Sequence, residues 1–115
     1  MSPNAAYAKG TRAERHVMRF LEQRGWYAMR AYASKGPFDV LAIKRHRAPL
    51  MIEVKSGLSR TPGWLPPATR IRILDAAAPA GAKATTAHYE RGLLQWWLIT
   101  GPSLAETIVL DPDTL

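Results

Sequence analysis

Three charged residues of this chain have the types and spacing needed to hydrolyse a phosphodiester bond. Asp39 follows the turn-forming run Gly36-Pro37-Phe38, and Glu53 and Lys55 occupy alternate positions of an otherwise apolar segment. Two carboxylates can hold a magnesium ion, which prefers oxygen ligands and keeps several of its waters. An ammonium group beside them can stabilise a negatively charged oxygen or position a water molecule. The sequence therefore predicts a metal-assisted hydrolytic site built from these three side chains.

The two segments that carry these residues are predicted to form a β-hairpin. A strand over 38–44 and a strand over 50–55 flank a short basic turn. Because side chains alternate along a strand, Glu53 and Lys55 share one face, and Asp39 is expected to meet Glu53 across the hairpin.

Glu53 and Lys55 could be either part of a functional site or ordinary charges on a solvated strand face, and the residues around them favour one of these interpretations. Charges at alternate strand positions are usually a solvated face, and an aspartate after Gly-Pro is usually an ordinary turn residue. Here Glu53 and Lys55 interrupt an apolar run, where an unused charge costs stability, so the site interpretation is favoured. The backbone carbonyl of Val54, between them, is a further candidate metal ligand.

A helix is predicted to begin at 10–11, with residues 1–9 forming a flexible arm. Thr11 is expected to cap this helix, and Glu14 stands where the partner of a capping box would stand. Gly25 is expected to end the helix. If the helix packs beside the hairpin, Glu14 would also complete the acidic cluster or hold a metal-bound water. The sequence leaves the capping role and the site role of Glu14 both open.

The remaining elements predict an α/β fold in one domain over 1–115. A strand over 26–32 precedes the hairpin, and apolar periodicity predicts a helix over 68–78 with a stripe that excludes its arginines. Two more strands over 84–89 and 93–100, and an edge strand over 107–110, complete a mixed sheet flanked by helices, followed by a loose acidic tail.

Composition and charge narrow the class of protein. The chain has 115 residues, a net charge of +7 and a pI near 10.3, which favours a polyanionic partner. There is no cysteine, so disulfides, thiolate metal sites and a cysteine nucleophile are excluded. The start of the chain lacks a signal peptide pattern, and no apolar run approaches membrane-spanning length. We expect an intracellular protein, cytoplasmic or nucleoid-associated, with no membrane partner.

Four segments in order resemble the archaeal-type Holliday junction resolvases of the PD-(D/E)xK nuclease superfamily. They are Lys9-Gly10-Thr11-Arg12-Ala13-Glu14-Arg15, Leu21-Glu22-Gln23-Arg24-Gly25-Trp26, Ser34-Lys35-Gly36-Pro37-Phe38-Asp39-Val40 and Ile52-Glu53-Val54-Lys55-Ser56. The chain departs from the superfamily's literal Pro-Asp pair, because Phe38 stands between proline and aspartate.

The resemblance implies a restriction-endonuclease-like core and a homodimeric endonuclease that cuts four-way DNA junctions symmetrically with Mg²⁺, for which Mn²⁺ can substitute. It implies metal roles for Asp39 and Glu53, a catalytic role for Lys55 and a site role for Glu14. It also implies a catalytic contribution from Ser34, whose alternative role is a local turn hydrogen bond.

Basic residues on several elements are candidates for phosphate contacts to a DNA shape. They are Lys9, Arg12, Arg15, Arg19, Lys35, Arg60, Arg70 and Arg72. The alternative is that some of them are only solvated surface arginines. The segment 93–99 is apolar on both faces, so one face needs a helix or a second subunit, and we expect Trp96 or Trp97 at or near a dimer interface.

Two other functions compete with junction resolution. A restriction-like or repair endonuclease on the same core would cut linear duplex or flaps in preference to junctions. A non-catalytic basic nucleic-acid-binding module would bind DNA without magnesium-dependent cleavage, and the presence of Glu14, Asp39, Glu53 and Lys55 together argues against it.

Overall fold

The fold was analysed in a computed structural model, which describes residues 3–31, 36–59, 61 and 63–115, with side chains from residue 10 onward. The helices are α1 (Pro3–Glu22) and α2 (Pro67–Ala77). The strands are β1 (Tyr27–Arg30), β2 (Val40–Ile43), β3 (Leu50–Ser56), β4 (Lys83–Glu90), β5 (Leu93–Ile99) and β6 (Thr107–Leu110). Two short 3₁₀ helices, Leu104–Glu106 and Pro112–Thr114, flank β6.

One six-stranded sheet carries all of these strands in chain order, from β1 at one edge to β6 at the other. Neighbouring strands are antiparallel except β3 and β4, which run parallel and are connected through α2. A parallel pair requires such a crossover. The predicted mixed sheet with flanking helices and the predicted hairpin of β2 and β3 are both confirmed.

Side-chain alternation along β3 divides the interior into two cores. Leu50 and Ile52 face α1, where they pack with Val17 and Leu21 of that helix. Met51 faces α2 and belongs to the second core with, among others, Leu65, Ile73, Ala77 and Ile99. β3 is therefore covered on both faces over its first three residues, and it becomes accessible only towards its carboxyl end.

The first helix is longer than the sequence analysis predicted. It begins at Pro3, so the predicted start at 10–11 is wrong, and residues 3–9 are helical where a flexible arm was expected. Pro suits a first helical turn, and the alanines that follow are the best helix formers, which outweighs the cost of Gly10 inside the helix. Thr11 lies within the helix, so Glu14 is not the partner of a capping box.

The helix ends as predicted at Gly25. Its φ of 88° lies in the left-handed region, which glycine adopts without steric cost. The N–H of Trp26 donates to the carbonyl of Leu21 at 3.0 Å, and the N–H of Gly25 donates to that of Glu22 at 3.1 Å. These two bonds form a Schellman motif, which turns the chain directly into β1.

The two neighbouring tryptophans of β5 have different surroundings. Trp96 is 1% exposed in the core beside α1, so of the two tryptophans predicted for a dimer interface Trp97 is the one that can reach it. The ring of Trp97 lies against Gly63, where a Cβ atom would come within 2.4 Å of the ring. The loop before α2 thus supplies part of the cover that this face of β5 was expected to need.

The carboxyl-terminal segment is ordered against the rest of the molecule. Leu115 packs on the core beside α1, and Arg47 donates a hydrogen bond to the carbonyl of Thr114 at 2.7 Å. The predicted loose tail is therefore wrong. In the part of the chain that the structure describes, no helix combines the length and apolar character needed to cross a membrane.

Candidate active site

Asp39 and Glu53 lie on the same face of the sheet. Leu41 and Met51 are paired in the register of β2 and β3, and both pack on the α2 side. Asp39 shares its side with Leu41, and Glu53 shares its side with Met51, because side chains alternate. The predicted meeting of the two carboxylates across the hairpin is therefore what the fold provides.

The side chain of Asp39 replaces a missing strand partner. The last pair between β2 and β3 joins Val40 and Ile52, so the N–H of Val54 lies beyond the paired part of the hairpin. The Oδ2 atom of Asp39 accepts that N–H at 2.8 Å. This bond fixes the carboxylate at the strand end. The carbonyl of Val54 points to the same edge of β3 as its N–H, as strand geometry requires.

Lys55 lies beside Glu53 on this face. Its Nζ atom is 3.5 Å from Oε1 of Glu53, and the side chains are 47% and 17% exposed, respectively. The lysine head group is thus accessible to a ligand while its partner carboxylate is largely covered.

Burial shapes the electrostatics of both carboxylates. It raises the pKa of Asp39, against the lowering effects of the Val54 N–H, Lys55 and Arg30. Burial also raises the pKa of Glu53, and repulsion from Asp39 raises it further, against the attraction of Lys55 and Arg72. Two carboxylates that are partly desolvated and repel each other are a natural setting for a bound cation.

Glu14 reaches the neighbourhood of Asp39 from α1 but forms an ion pair with a different residue. Oε2 of Glu14 accepts from Nε of Arg30 at 3.1 Å, and Glu14 is 5% exposed. Burial raises the pKa of Glu14; the Arg30 charge lowers it and the Asp39 charge raises it. Among the described residues, no three His, Cys, Asp or Glu side chains form a group that could hold a metal. The predicted site role of Glu14 stays a prediction: the structure places this carboxylate near Asp39 and in an ion pair with Arg30.

Arg30 is the residue that sequence reasoning missed. It lies in β1 opposite Val40, one residue from Asp39, and on the face that α1 covers. Besides Glu14 it contacts the hydroxyl of Thr11 at 3.4 Å. The sequence signal that could have revealed it is the pairing of β1 with β2. This register places Arg30 opposite Val40 and therefore close to Asp39.

The predicted DNA-contacting residues divide into three groups. Arg12, Arg15, Arg19 and Arg72 have exposed side chains. Arg70 is 1% exposed, and the prediction that it contacts DNA is wrong. Its guanidinium donates to the carbonyls of Leu65 and Ser103 and to the hydroxyl of Thr107, at 2.9, 3.1 and 2.5 Å. The third group lies outside the described part of the chain: Lys35, Arg60, the side chain of Lys9 and also the predicted catalytic Ser34.

One protein family and two solved structures are similar to this chain. The sequence profile described as archaeal Holliday junction resolvase (Hjc) matches residues 5–105. The solved structure of Hjc from Archaeoglobus fulgidus, a Holliday junction resolvase from an archaeal hyperthermophile, has a TM-score of 0.62 and 27% identity, covering 76% of this chain and 72% of its own. A bacterial homing endonuclease has a TM-score of 0.48 and 14% identity, covering 91% of this chain and 77% of its own, which is too weak a likeness to use further.

No curated protein matches the chain. The restriction-endonuclease-like fold class expected from the sequence is confirmed by the sheet topology together with the Archaeoglobus structure. The family profile covers most of the chain, from the first helix to the turn before β6. The chain belongs to the archaeal Holliday junction resolvase family.

Proposed function

We propose that this protein is a metal-dependent DNA endonuclease that resolves four-way junctions by hydrolysing two symmetrically placed phosphodiester bonds. The observation that carries the proposal is the position of Asp39 and Glu53 on one face at the open end of the β2–β3 hairpin, with Lys55 beside them. Membership of the resolvase family supports the junction as substrate.

The residues at this site fit a magnesium ion. Both carboxylates and the Val54 carbonyl are hard oxygen donors, and a divalent cation would relieve the repulsion that raises the pKa of Glu53. We propose Asp39, Glu53 and Val54 as the protein ligands of Mg²⁺, with Mn²⁺ as a substitute. When bound, such an ion supplies a nucleophilic water and charge relief at the phosphate.

The other side chains act on the DNA and on the ligands. The Lys55 ammonium, nearly half exposed beside Glu53, is placed to contact the scissile phosphate or the attacking water. The Val54 N–H holds Asp39 in one orientation through its hydrogen bond to Oδ2. Arg30 and Glu14 supply a positive and a negative charge near Asp39. The Arg30 charge lowers the pKa of Asp39, and the Asp39 charge raises the pKa of Glu14.

The symmetry of the substrate favours a homodimer with two active sites. A four-way junction offers two equivalent scissile strands, and a two-fold assembly presents one site to each. Trp97, half-buried on the α2 side of β5, remains the candidate interface tryptophan. Sedimentation at micromolar concentration should give the mass of a dimer, and a monomer would contradict this assembly. Because the substrate is DNA, we place the protein inside the cell, in contact with the nucleoid.

One assay separates the proposal from its alternatives. A synthetic four-way junction, a flap and a linear duplex are each incubated with the protein, with and without magnesium. We expect paired nicks in the junction alone, only with magnesium, and loss of cleavage with retained binding in Asp39→Asn. Equal cutting of linear duplex would favour a repair or restriction-like nuclease, and binding without cleavage by wild type would leave a non-catalytic module.

A further inference from the structure

A second concave site lies at the same end of β3 as the carboxylate pair, on the opposite side of the sheet. It is a cavity of about 410 Å³ whose lining residues are Arg12, Ser56, Gly57, Leu58, Tyr89, Glu90 and Arg91. Ser56 and Tyr89 are paired in the register of β3 and β4 and share the α1 side with Val54 and Ala87. A DNA strand that crosses this end of the sheet can touch both the cavity and Lys55, the neighbour of Ser56.

The walls of the cavity are fixed by contacts within the protein. The N–H of Gly57 donates to the carbonyl of Tyr89 at 3.1 Å, and Nε2 of His88 lies 2.6 Å from the carbonyl of Gly57. The ring of Tyr89 stacks on His16 of α1, with 4.2 Å between ring centroids and 13° between planes. These contacts tie α1, β4 and the end of β3 together, so the cavity is formed before any ligand arrives.

The charged groups of the cavity are not used by the fold. Within the part of the chain that the structure describes, Arg12, Glu90 and Arg91 form no ion pair and no side-chain hydrogen bond. Both arginines are exposed, and Leu58, also in the lining, is 75% exposed. Two guanidinium groups suit a phosphate, and an aromatic and an aliphatic side chain suit the face of a base. The Glu90 carboxylate can accept a hydrogen bond from the polar edge of a base.

We propose that this cavity binds one unpaired nucleotide of the DNA strand at the branch point, with the base beside Tyr89 and Leu58 and the phosphate near Arg12 and Arg91. The inference rests on the proposed function, since it names how that function would select its substrate. A base in a continuous duplex must be unstacked before it can enter, whereas a base at a branch point loses less stacking. Phosphate contacts position the strand but do not test whether a base is stacked.

The first test needs neither a junction nor magnesium. A short single-stranded oligothymidine is titrated into the full chain, and backbone amide shifts are followed by NMR. We expect the shifts to centre on residues 56–58 and 89–92. Arg91→Asn should weaken binding about fivefold, the size of one lost contact between an exposed charged side chain and a phosphate. Asparagine tolerates the φ of 49° that Arg91 adopts, so the turn is retained.

The matched control is Arg45→Asn, an exposed arginine in the turn at the other end of β3. It removes the same charge and should leave the affinity for oligothymidine unchanged. Shifts centred elsewhere, or an equal loss of affinity in the control, would overturn the proposal, because binding would then reflect only the general positive charge.

A second test separates this inference from the proposed function. 5-Iododeoxyuridine is placed at the branch point of a junction, or at a matched position within an arm, and photocrosslinked. We expect a crosslink to Tyr89 from the branch-point position only. If the junction is cut but its crosslinks map to other residues, nucleotide binding in the cavity is contradicted while the proposed resolvase function stands. If oligothymidine binds in the cavity but the junction is not cut, the nucleotide-binding site stands and the proposed resolvase function is contradicted.

Discussion

At the scale of single residues, the charged carboxylates of Asp39 and Glu53 lower the stability of the folded chain, because burial raises the pKa of each. Glu53 is largely covered and is repelled by Asp39. We therefore expect Glu53→Gln to raise the free energy of unfolding of the metal-free protein at neutral pH by about 1 kcal/mol, a common gain when a functional charge is neutralised. Urea denaturation measures this, and Glu22→Gln, on an exposed part of α1, should leave stability unchanged.

The same pair sets a dependence on pH. Because the folded protein raises the pKa of Glu53, it binds protons more readily than the unfolded chain does. The favourable contribution of this group is present below its ordinary pKa and is lost as pH rises through the raised value. The stability advantage of Glu53→Gln should therefore grow from acid to neutral pH. Magnesium at neutral pH should stabilise wild type only. A constant advantage across this range would contradict the assignment.

Arg30 and Glu14 make a separate prediction. Arg30→Ala leaves a carboxylate that is 5% exposed without its partner. We expect a loss of about 1–3 kcal/mol in thermal or urea unfolding, the usual cost of an unsatisfied buried group. Adding Glu14→Gln to this variant should restore most of the loss, because the charge is then absent. No loss in the single variant would mean that water solvates Glu14 adequately.

At the scale of elements, α2 carries two arginines with opposite roles. Arg70 is enclosed and holds the loop before α2 and the segment before β6 through three hydrogen bonds, whereas Arg72 is exposed and acts electrostatically on Glu53. Arg70→Met should destabilise the protein by about 2–4 kcal/mol, since a charged donor network is lost.

Arg72→Met is the matched variant on the same helix. It should change the free energy of unfolding by no more than about 0.5 kcal/mol and weaken junction binding. Parallel urea titrations and junction-binding measurements distinguish the two. The reverse pattern would contradict the division between a structural and a DNA-facing arginine.

The elements also show what the sequence could predict. The hairpin and the shared face of Glu53 and Lys55 followed from the two-residue period of β3 and the Gly-Pro turn before β2. The buried face of α2 could not be predicted in the same way. The predicted apolar stripe excluded the arginines of this helix, but Arg70 is buried together with Ile73, whereas Ile71 is 48% exposed. Periodicity alone could not show this, because the acceptors that make Arg70 acceptable inside come from residues 65, 103 and 107. The partner of Glu14 was missed for the same reason, since Arg30 meets it only through tertiary packing.

At the scale of the whole molecule, the net charge of +7 attracts the negatively charged DNA backbone over long range. Arg15 is exposed on α1. Arg15→Ala should weaken binding to junctions of any sequence and reduce the slope of log affinity against log salt by about 1, as for one lost phosphate contact. Affinities measured over a salt series, with Arg45→Ala alongside, test this. An unchanged slope would exclude Arg15 as a phosphate contact.

The central claim is that the pair of Asp39 and Glu53 cuts both equivalent strands of one four-way junction. A supercoiled plasmid that extrudes a cruciform tests it most directly, because two paired cuts across the junction linearise the plasmid and one cut only relaxes it. We predict linear product with wild type and magnesium, and an intact but protein-bound cruciform with Asp39→Asn. Linear product from the Asp39→Asn variant, or equal cutting of a plasmid without the cruciform, would contradict the account.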